Sequence, residues 1–196
     1  EITNSDQIPR IIDPACGCGA FLISAAQMLH EKYKIDYKEL YQKYIWGCDI
    51  DIHSVEKCKI LLELLRFQNE GFADKCNFNL IVGNALEELS KERFLGKYDA
   101  VIGNPPYVRA KNIDEKIKKS FERWTVVSGN VDLYLPFYQL GMELLNANGV
   151  LGYISPNTYL QSVNGRGLRN YVRDCKCNLK IINFKENQLF ADVTHY

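Results

Sequence analysis

Arg10-Ile11-Ile12-Asp13-Pro14-Ala15-Cys16-Gly17-Cys18-Gly19-Ala20-Phe21-Leu22 decides the fold. The apolar pair before Asp13 reads as a short buried strand. Pro14 to Gly19 is a glycine loop. From Ala20 to Lys32 the apolar residues Phe21, Leu22, Ala25, Met28 and Leu29 recur at helical spacing. Strand, glycine loop and helix together make the first unit of a nucleotide-type α/β domain.

The same alternation continues outward from this unit. Tyr44 to Asp49 is a second strand, and Ile52 to Phe67 a helix with Val55, Cys58, Leu61, Leu62 and Leu65 on one side. Residues between Ile35 and Lys43 predict a short extra helix. Phe78–Val82, Tyr98–Ile102 and Val150–Ile154 read as strands three to five. Helices are expected over Asp114–Trp124, Val131–Leu145 and Leu168–Asp174, with a turn at Asn146 to Gly149. Leu179–Phe184 predicts a sixth strand, and Val193 the opening of a seventh. Strands alternating with helices imply a mostly parallel sheet covered on both faces. In such sheets ligands bind beyond the carboxyl ends of the strands. Asp13, Asp49, Asn84 and Asn104 all fall at such ends.

Bulk properties bound the function. The chain has 196 residues, 46% hydrophobic and 24% charged, which suits one ordinary globular domain. Formal net charge is zero, so any polyanion partner must be met by local patches. No apolar run reaches the length of a membrane span. Seven cysteines, an odd count without a secretory pattern, predict free thiols and a cytoplasmic setting. Their spacing is not that of a zinc site, and no metal is expected. The sequence starts at Glu1 and stops inside an alternating run at Tyr196, so residues 1–196 are read as one domain cut from a longer protein.

The glycine loop is not a phosphate loop. It lacks G-K-[ST], and Gly17 and Gly19 complete only half of a G-x-G-x-x-G pattern. Its opening acid would repel a pyrophosphate and attract a cation. S-adenosylmethionine fits: it carries a sulfonium, an ammonium and a ribose diol, and no phosphate. Asp49 is placed to accept the ribose hydroxyls, as the equivalent acid does in dinucleotide folds, and Asn84 to meet the adenine edge.

After strand four, Asn104-Pro105-Pro106-Tyr107 forms a rigid turn, because two prolines forbid helix and remove two backbone donors. It presents an amide, undisturbed carbonyls and an aromatic ring. Asp13-Pro-Ala-Cys-Gly-Cys-Gly-Ala-Phe-Leu22, Gly47-Cys-Asp-Ile-Asp51 and Ile102-Gly-Asn-Pro-Pro-Tyr-Val108, in this order, resemble the adenine-N6 DNA methyltransferases. The likeness is to the group whose cofactor motif comes first, and within it to the Eco57I-type restriction-modification methylases. Gly129-Asn-Val-Asp-Leu-Tyr134, Gly149 to Asn157 and Leu189-Phe-Ala-Asp-Val193 extend it over nearly the whole chain. Asn84 departs from the acid often found there, and the Gly19–Asp49 spacing is long because of the segment from Lys34 to Lys43.

The resemblance implies a Rossmann-like S-adenosylmethionine-dependent methyltransferase fold whose last strand hairpin is cut. It implies a cofactor lying along Asp13, Ala15, Cys16, Gly17, Gly19, Phe21, Asp49, Ile50, Asn84, Ala85 and Asn104. It implies that Asn104, Pro105, Pro106 and Tyr107 are catalytic. The Asn104 side-chain oxygen and the Pro105 carbonyl would hold the N6 amine of a flipped-out adenine. Tyr107 and Phe190 would sandwich the base, with Phe184 as an alternative to Phe190. Arg109 and Lys111 would meet DNA phosphates, and Lys116–Arg123 and Arg166–Arg173 carry further basic residues. Double-stranded DNA is the expected partner. Nuclease and target-recognition domains are expected elsewhere in the parent chain, as is an N-terminal segment closing the cofactor pocket. Two other readings remain at this level: methyl transfer to protein glutamine or RNA, and a non-catalytic nucleic-acid-binding module.

Overall fold

The strand that carries Ile11, Ile12 and Asp13 (β1, Ile11–Asp13) is buried along its whole length at the centre of a parallel sheet. The computed structural model describes residues 7–71, 75–109, 112, 115–127 and 132–184. The elements after β1 are α1 (Ala20–Tyr33), a one-turn α2 (Tyr37–Glu39) running into a π-helical turn (Leu40–Tyr44), β2 (Ile45–Asp49) and α3 (Ile52–Glu70). Then come β3 (Asn79–Val82), α4 (Ala85–Glu88), β4 (Tyr98–Gly103), α5 (Glu115–Lys119), α6 (Tyr134–Leu144), β5 (Leu145–Tyr153) and α7 (Arg166–Asp174).

Sheet order is β3-β2-β1-β4-β5, all parallel. The chain therefore winds outward from β1 in one direction, then returns to its other side through β4. The crevice at that reversal, beyond the carboxyl ends of β1 and β4, is where such sheets receive ligands. It places the glycine loop beside the Asn104 turn.

Strand alternation divides the core between two faces. Ile11 and Ala100 point to the face covered by α1 and α3, where Leu22, Leu29, Cys58 and Leu62 are buried. Ile12 and Val101 point to the other face, packed by Leu86, Trp124, Tyr134, Leu140 and Leu144. Each fully buried leucine contributes roughly 1.5–3 kcal/mol of hydrophobic stabilisation. The π-helical turn accounts for the long Gly19–Asp49 spacing: it buries Leu40 and Tyr41 and leads directly into β2. Helix α3 is capped by Asp51, whose carboxylate accepts from the amides of His53 (3.2 Å) and Ser54 (3.0 Å).

Two expectations need correction. The turn at Asn146 to Gly149 lies inside β5 rather than before it. Leu145 already pairs with Tyr98, the ladder slips, and pairing resumes at Val150 with Ala100. Asn146 stabilises the irregularity by donating to Asp99 (2.6 Å) and accepting from the Asn148 amide (3.1 Å). The expected sixth strand does not form: Leu179–Phe184 belongs to no ladder among the described residues. Leu179, Ile181, Ile182 and Phe184 stand 44–65% exposed. An apolar run needs a strand beside it to become a strand, and among the described residues β5 is the edge of the sheet. The expected seventh strand at Val193 lies outside the described residues. All seven cysteines are free; Cys16, Cys48, Cys58 and Cys76 are buried, whereas Cys18, Cys175 and Cys177 are exposed.

Candidate active site

Asp13 closes β1 with no exposed surface. One carboxylate oxygen, Oδ1, accepts from the Ala15 amide at 2.9 Å, and the other, Oδ2, has no partner. Burial pushes this carboxyl up to about 7; the Ala15 bond opposes the shift and the nearby Asp49 adds to it. The buried oxygen thus lacks a donor, and a cation would supply one. Directly against it lies Gly103, the residue before the Asn104 turn. A Cβ at Gly103 would sit 2.6 Å from Asp13 Oδ1, so only glycine lets the two loops meet.

The glycine loop is fixed by backbone bonds. Cys16 N donates to Cys48 O (3.0 Å), and Gly19 N to Cys16 O (2.8 Å). Gly17 has φ +52 and nothing within 4 Å of where its Cβ would be. Its amide donates to Asp49 Oδ2 at 2.8 Å, so the loop is tied across to the end of β2. Gly19 is required for packing instead: a Cβ there would meet Cys58 Sγ at 2.5 Å. Asp49 Oδ1 accepts from the Asp51 amide at 2.9 Å, which leaves a second lone pair on each oxygen of this half-buried carboxylate. Hydrogen bonding to Cys58, and then burial, raise the Cys16 thiol, which stays protonated beneath the loop.

Ile50 follows with 63% of its surface exposed, an apolar side chain beside a pair of acceptors. Ala15 and Phe21 are half-buried at the loop's two ends, and Ala85 is buried. Asn84 is engaged locally. It caps α4, accepting from the Leu86 amide (3.1 Å) and donating to Glu87 (2.9 Å).

At the end of β4, Asn104 is exposed, Pro105 buried, Pro106 half-buried and Tyr107 48% exposed. The Tyr107 hydroxyl donates to Asn104 Oδ1 and lies 2.9 Å from Ile154 O. Its ring meets Tyr134 edge-on at 6.3 Å. Burial pushes the Tyr107 hydroxyl up to about 12, so it remains a donor at neutral pH. Arg109 is exposed just beyond the turn. Lys111 and Phe190 lie outside the described residues. Phe184 is in the unpaired stretch.

Two of the other basic residues are less available than their clustering suggests. Arg123 donates to Ser90 O (3.1 Å) and Glu143 (2.9 Å), and Arg169 to the carbonyls of Tyr159 (2.5 Å) and Ser162 (2.8 Å). Sequence reading missed Gly103 and Ile154 as parts of the site. The tight Ile-Gly-Asn junction held a signal for the first; Ser155-Pro-Asn157 read only as a strand breaker. Two clefts of about 370 and 380 Å³ lie elsewhere, one lined by Arg10, Trp46 and Tyr98 at the amino ends of the strands, one between Thr125 and α7. Neither holds the acids or the amide. No cluster of three or more metal-ligating side chains occurs among the described residues, nor a helix long and apolar enough to cross a membrane.

The sheet order, the acid-bracketed glycine loop and the adjoining Asn104 turn define the Rossmann-like S-adenosylmethionine-dependent methyltransferase fold. A class I S-adenosylmethionine-dependent methyltransferase from Listeria monocytogenes superposes with a TM-score of 0.64 at 16% identity, over 89% of this chain and 47% of that one. The DrdV–DNA complex gives a TM-score of 0.68 at 18% identity, over 89% of this chain and 20% of that one. Residues 43–190 match the family model for the Eco57I restriction-modification methylase, and the chain belongs to that family. The Type II restriction enzyme and methyltransferase RM.Eco57I of Escherichia coli is 25% identical over the whole of this chain, which spans 24% of its length. The Type II methyltransferase M.PaeR7I of Pseudomonas aeruginosa is 32% identical over 88% of this chain and 31% of its own length.

Proposed function

We propose that this chain is the catalytic domain of a DNA methyltransferase of a restriction-modification system, transferring a methyl group to the N6 amine of adenine. The observation that carries the reading is the Asp13–Gly103 contact. It sets a cation-seeking carboxylate and an amine-accepting turn against each other at one crevice.

The residues fit S-adenosylmethionine. Asp13, with its unpartnered oxygen buried beneath the crevice, would attract an ammonium through the field of its ionised form, Asp49 keeps lone pairs for a ribose diol, and the open space at Gly17 admits close approach. Ile50 supplies an apolar surface for a purine ring. Bound there, the cofactor supplies a methyl group on a positively charged sulfur. The chain's part is alignment and charge. Asn104 Oδ1 and the Pro105 carbonyl accept the two hydrogens of the amine, draw its nitrogen out of conjugation and stabilise the positive charge it gains. Holding both reactants in line removes several kcal/mol of the barrier. Tyr107 gives one face for stacking a base turned out of the duplex, since the amine is unreachable inside it. Phe190 is the proposed second face, and Arg109 and Lys111 are proposed phosphate contacts. This chain spans 24% of RM.Eco57I and 31% of M.PaeR7I, so nuclease and recognition functions are proposed for the rest of the polypeptide.

The test is methyl transfer from labelled S-adenosylmethionine by the polypeptide that carries this chain. Label is expected in DNA as N6-methyladenine. Asn104→Ala should abolish it while cofactor binding persists. Label found in RNA or protein and never in DNA refutes the reading.

A further inference from the structure

Helix α6 sends two tyrosines, Tyr134 and Tyr138, from one face toward the stretch after β5. The Tyr138 hydroxyl pairs with Ser155 Oγ at 2.6 Å, and that of Tyr134 with Thr158 Oγ1 at 3.1 Å. The ring of Tyr138 packs edge-on against Tyr153 at 5.4 Å and tilted against Tyr159 at 5.5 Å. Between Tyr153 and Ser155 lies Ile154. Its amide donates to Gly103 O (3.0 Å), and its carbonyl faces the Tyr107 hydroxyl at 2.9 Å. Ile154 is therefore held from both sides, by β4 through its own amide and by α6 through its neighbour.

We propose that Tyr138 is a positioning residue for the methyl-accepting site: through Ser155 it fixes the Ile154 carbonyl, which holds the Tyr107 ring while Asn104 takes up a substrate amine. The inference rests on the reading that the Asn104 turn receives an amine. Tyr107 has one hydroxyl proton and two acceptors, Asn104 Oδ1 and Ile154 O. An amine bound at Asn104 takes the first acceptor. The proton then turns wholly to Ile154, and the ring stays where a base can stack on it. If Ile154 drifts, the same displacement releases the ring. The Tyr138 hydroxyl pairs with Ser155 and also interacts with Tyr159, and burial keeps it protonated well above the ordinary tyrosine range. Phenylalanine at 138 preserves the ring contacts and removes the link together with the hydroxyl's interaction with Tyr159, so Ser155→Ala, which leaves Tyr159 its partner, isolates the link.

The experiment is a double-mutant cycle in the polypeptide that carries this chain. Tyr138→Phe, Tyr107→Phe and the double variant are compared in single-turnover methyl transfer to duplex DNA. Rates are taken per titrated active site, and a second duplex carries 2-aminopurine at the target position. Loss of one hydrogen bond predicts about a 3–10-fold slower transfer for each single variant, with cofactor affinity unchanged and a reduced 2-aminopurine signal. The double variant should be no slower than the slower single one, because both act through the same bond. Ser155→Ala should match Tyr138→Phe. Effects that multiply in the double variant overturn the proposal. So does a Tyr138→Phe rate per active site equal to wild type, with only the thermal midpoint lowered. Wild-type polypeptide that puts no label into DNA overturns the functional reading instead.

Discussion

Asp13→Asn separates what the fold tolerates from what the site requires. The Asp13 carboxyl is fully buried, and burial raises it from 3.8 to about 7. The sign follows from proton counting. Below 3.8 both folded and unfolded chains hold the proton, and Asp13 costs nothing. Between the two values only the folded chain holds it, so stability falls as pH rises. Above about 7 the full cost is present. At 1.36 kcal/mol per pH unit, the gap corresponds to about 4 kcal/mol. Asparagine keeps the shape and does not titrate; its oxygen can keep the Ala15 bond, and its amide, in the place of the unpartnered Oδ2, adds a constant offset. Urea unfolding of the 196-residue chain between pH 4.5 and 8 should show the variant gaining on wild type by about 3 kcal/mol across that range. Other titrating groups cancel in the difference. Curves that run parallel within about 1 kcal/mol would refute a buried, unpaired carboxyl.

The same experiment with S-adenosylmethionine present tests the assignment of the orphan oxygen. An ammonium beside Asp13 favours its ionised form. Saturating cofactor should therefore flatten the wild-type pH dependence and leave Asp13→Asn unaffected. A wild-type slope unchanged by cofactor places the ammonium elsewhere.

Gly103→Ala sets a methyl group 2.6 Å from Asp13 Oδ1 and should destabilise the chain by about 1–3 kcal/mol, read as a lower urea midpoint. S-adenosylmethionine at a hundred times its dissociation constant should raise unfolding stability by about 2.7 kcal/mol; Asp49→Ala should remove most of that gain at the same concentration, with a smaller loss of its own from the freed Gly17 amide. Arg109→Ala should reduce the slope of log affinity for DNA against log salt by about one, whereas Arg123→Ala should lower stability more than DNA affinity, because its guanidinium already holds Ser90 and Glu143.

Much of this was legible in the sequence because parallel sheets write their sites at strand ends. Asp13, Asp49, Asn84 and Asn104 are each the first polar residue after an apolar run, and the sheet order brings those ends together. What escaped were contacts whose partners lie far apart in the chain. No spacing rule connects Asp13 with Gly103, or Tyr107 with Ile154. The amide of Asn84 looked free, but residues 84–88 close a helical turn that draws it in. For Arg123 and Arg169 the sequence could not choose between phosphate contacts and a solvated helix face, because clustering in sequence says nothing of carbonyls nearby in space. The apolar residues of Leu179–Phe184 read as a strand, but an apolar run becomes one only beside a neighbouring strand.

The Tyr107–Asn104 bond also decides what kind of defect Asn104→Ala should produce. Asn104 Oδ1 already accepts a hydrogen bond from Tyr107, so an arriving amine exchanges one bond for another of like strength. Exchanges of this kind contribute little net affinity. Binding of the base then comes from stacking on Tyr107, worth roughly 1–3 kcal/mol per base, and from phosphate contacts. The carbonyl of Asn104 matters when positive charge develops on nitrogen, and the Tyr107 proton has no such charge to give. Interactions stronger in the transition state than in the ground state act on kcat. Asn104→Ala should therefore lower kcat by at least about a hundredfold, as for loss of a preorganised polar group, while KM for DNA stays within a few-fold. Steady-state kinetics on hemimethylated and unmethylated duplexes read both. A large rise in KM with kcat preserved would mean that Asn104 binds the ground state, and would assign the charge-stabilising role to the Pro105 carbonyl alone.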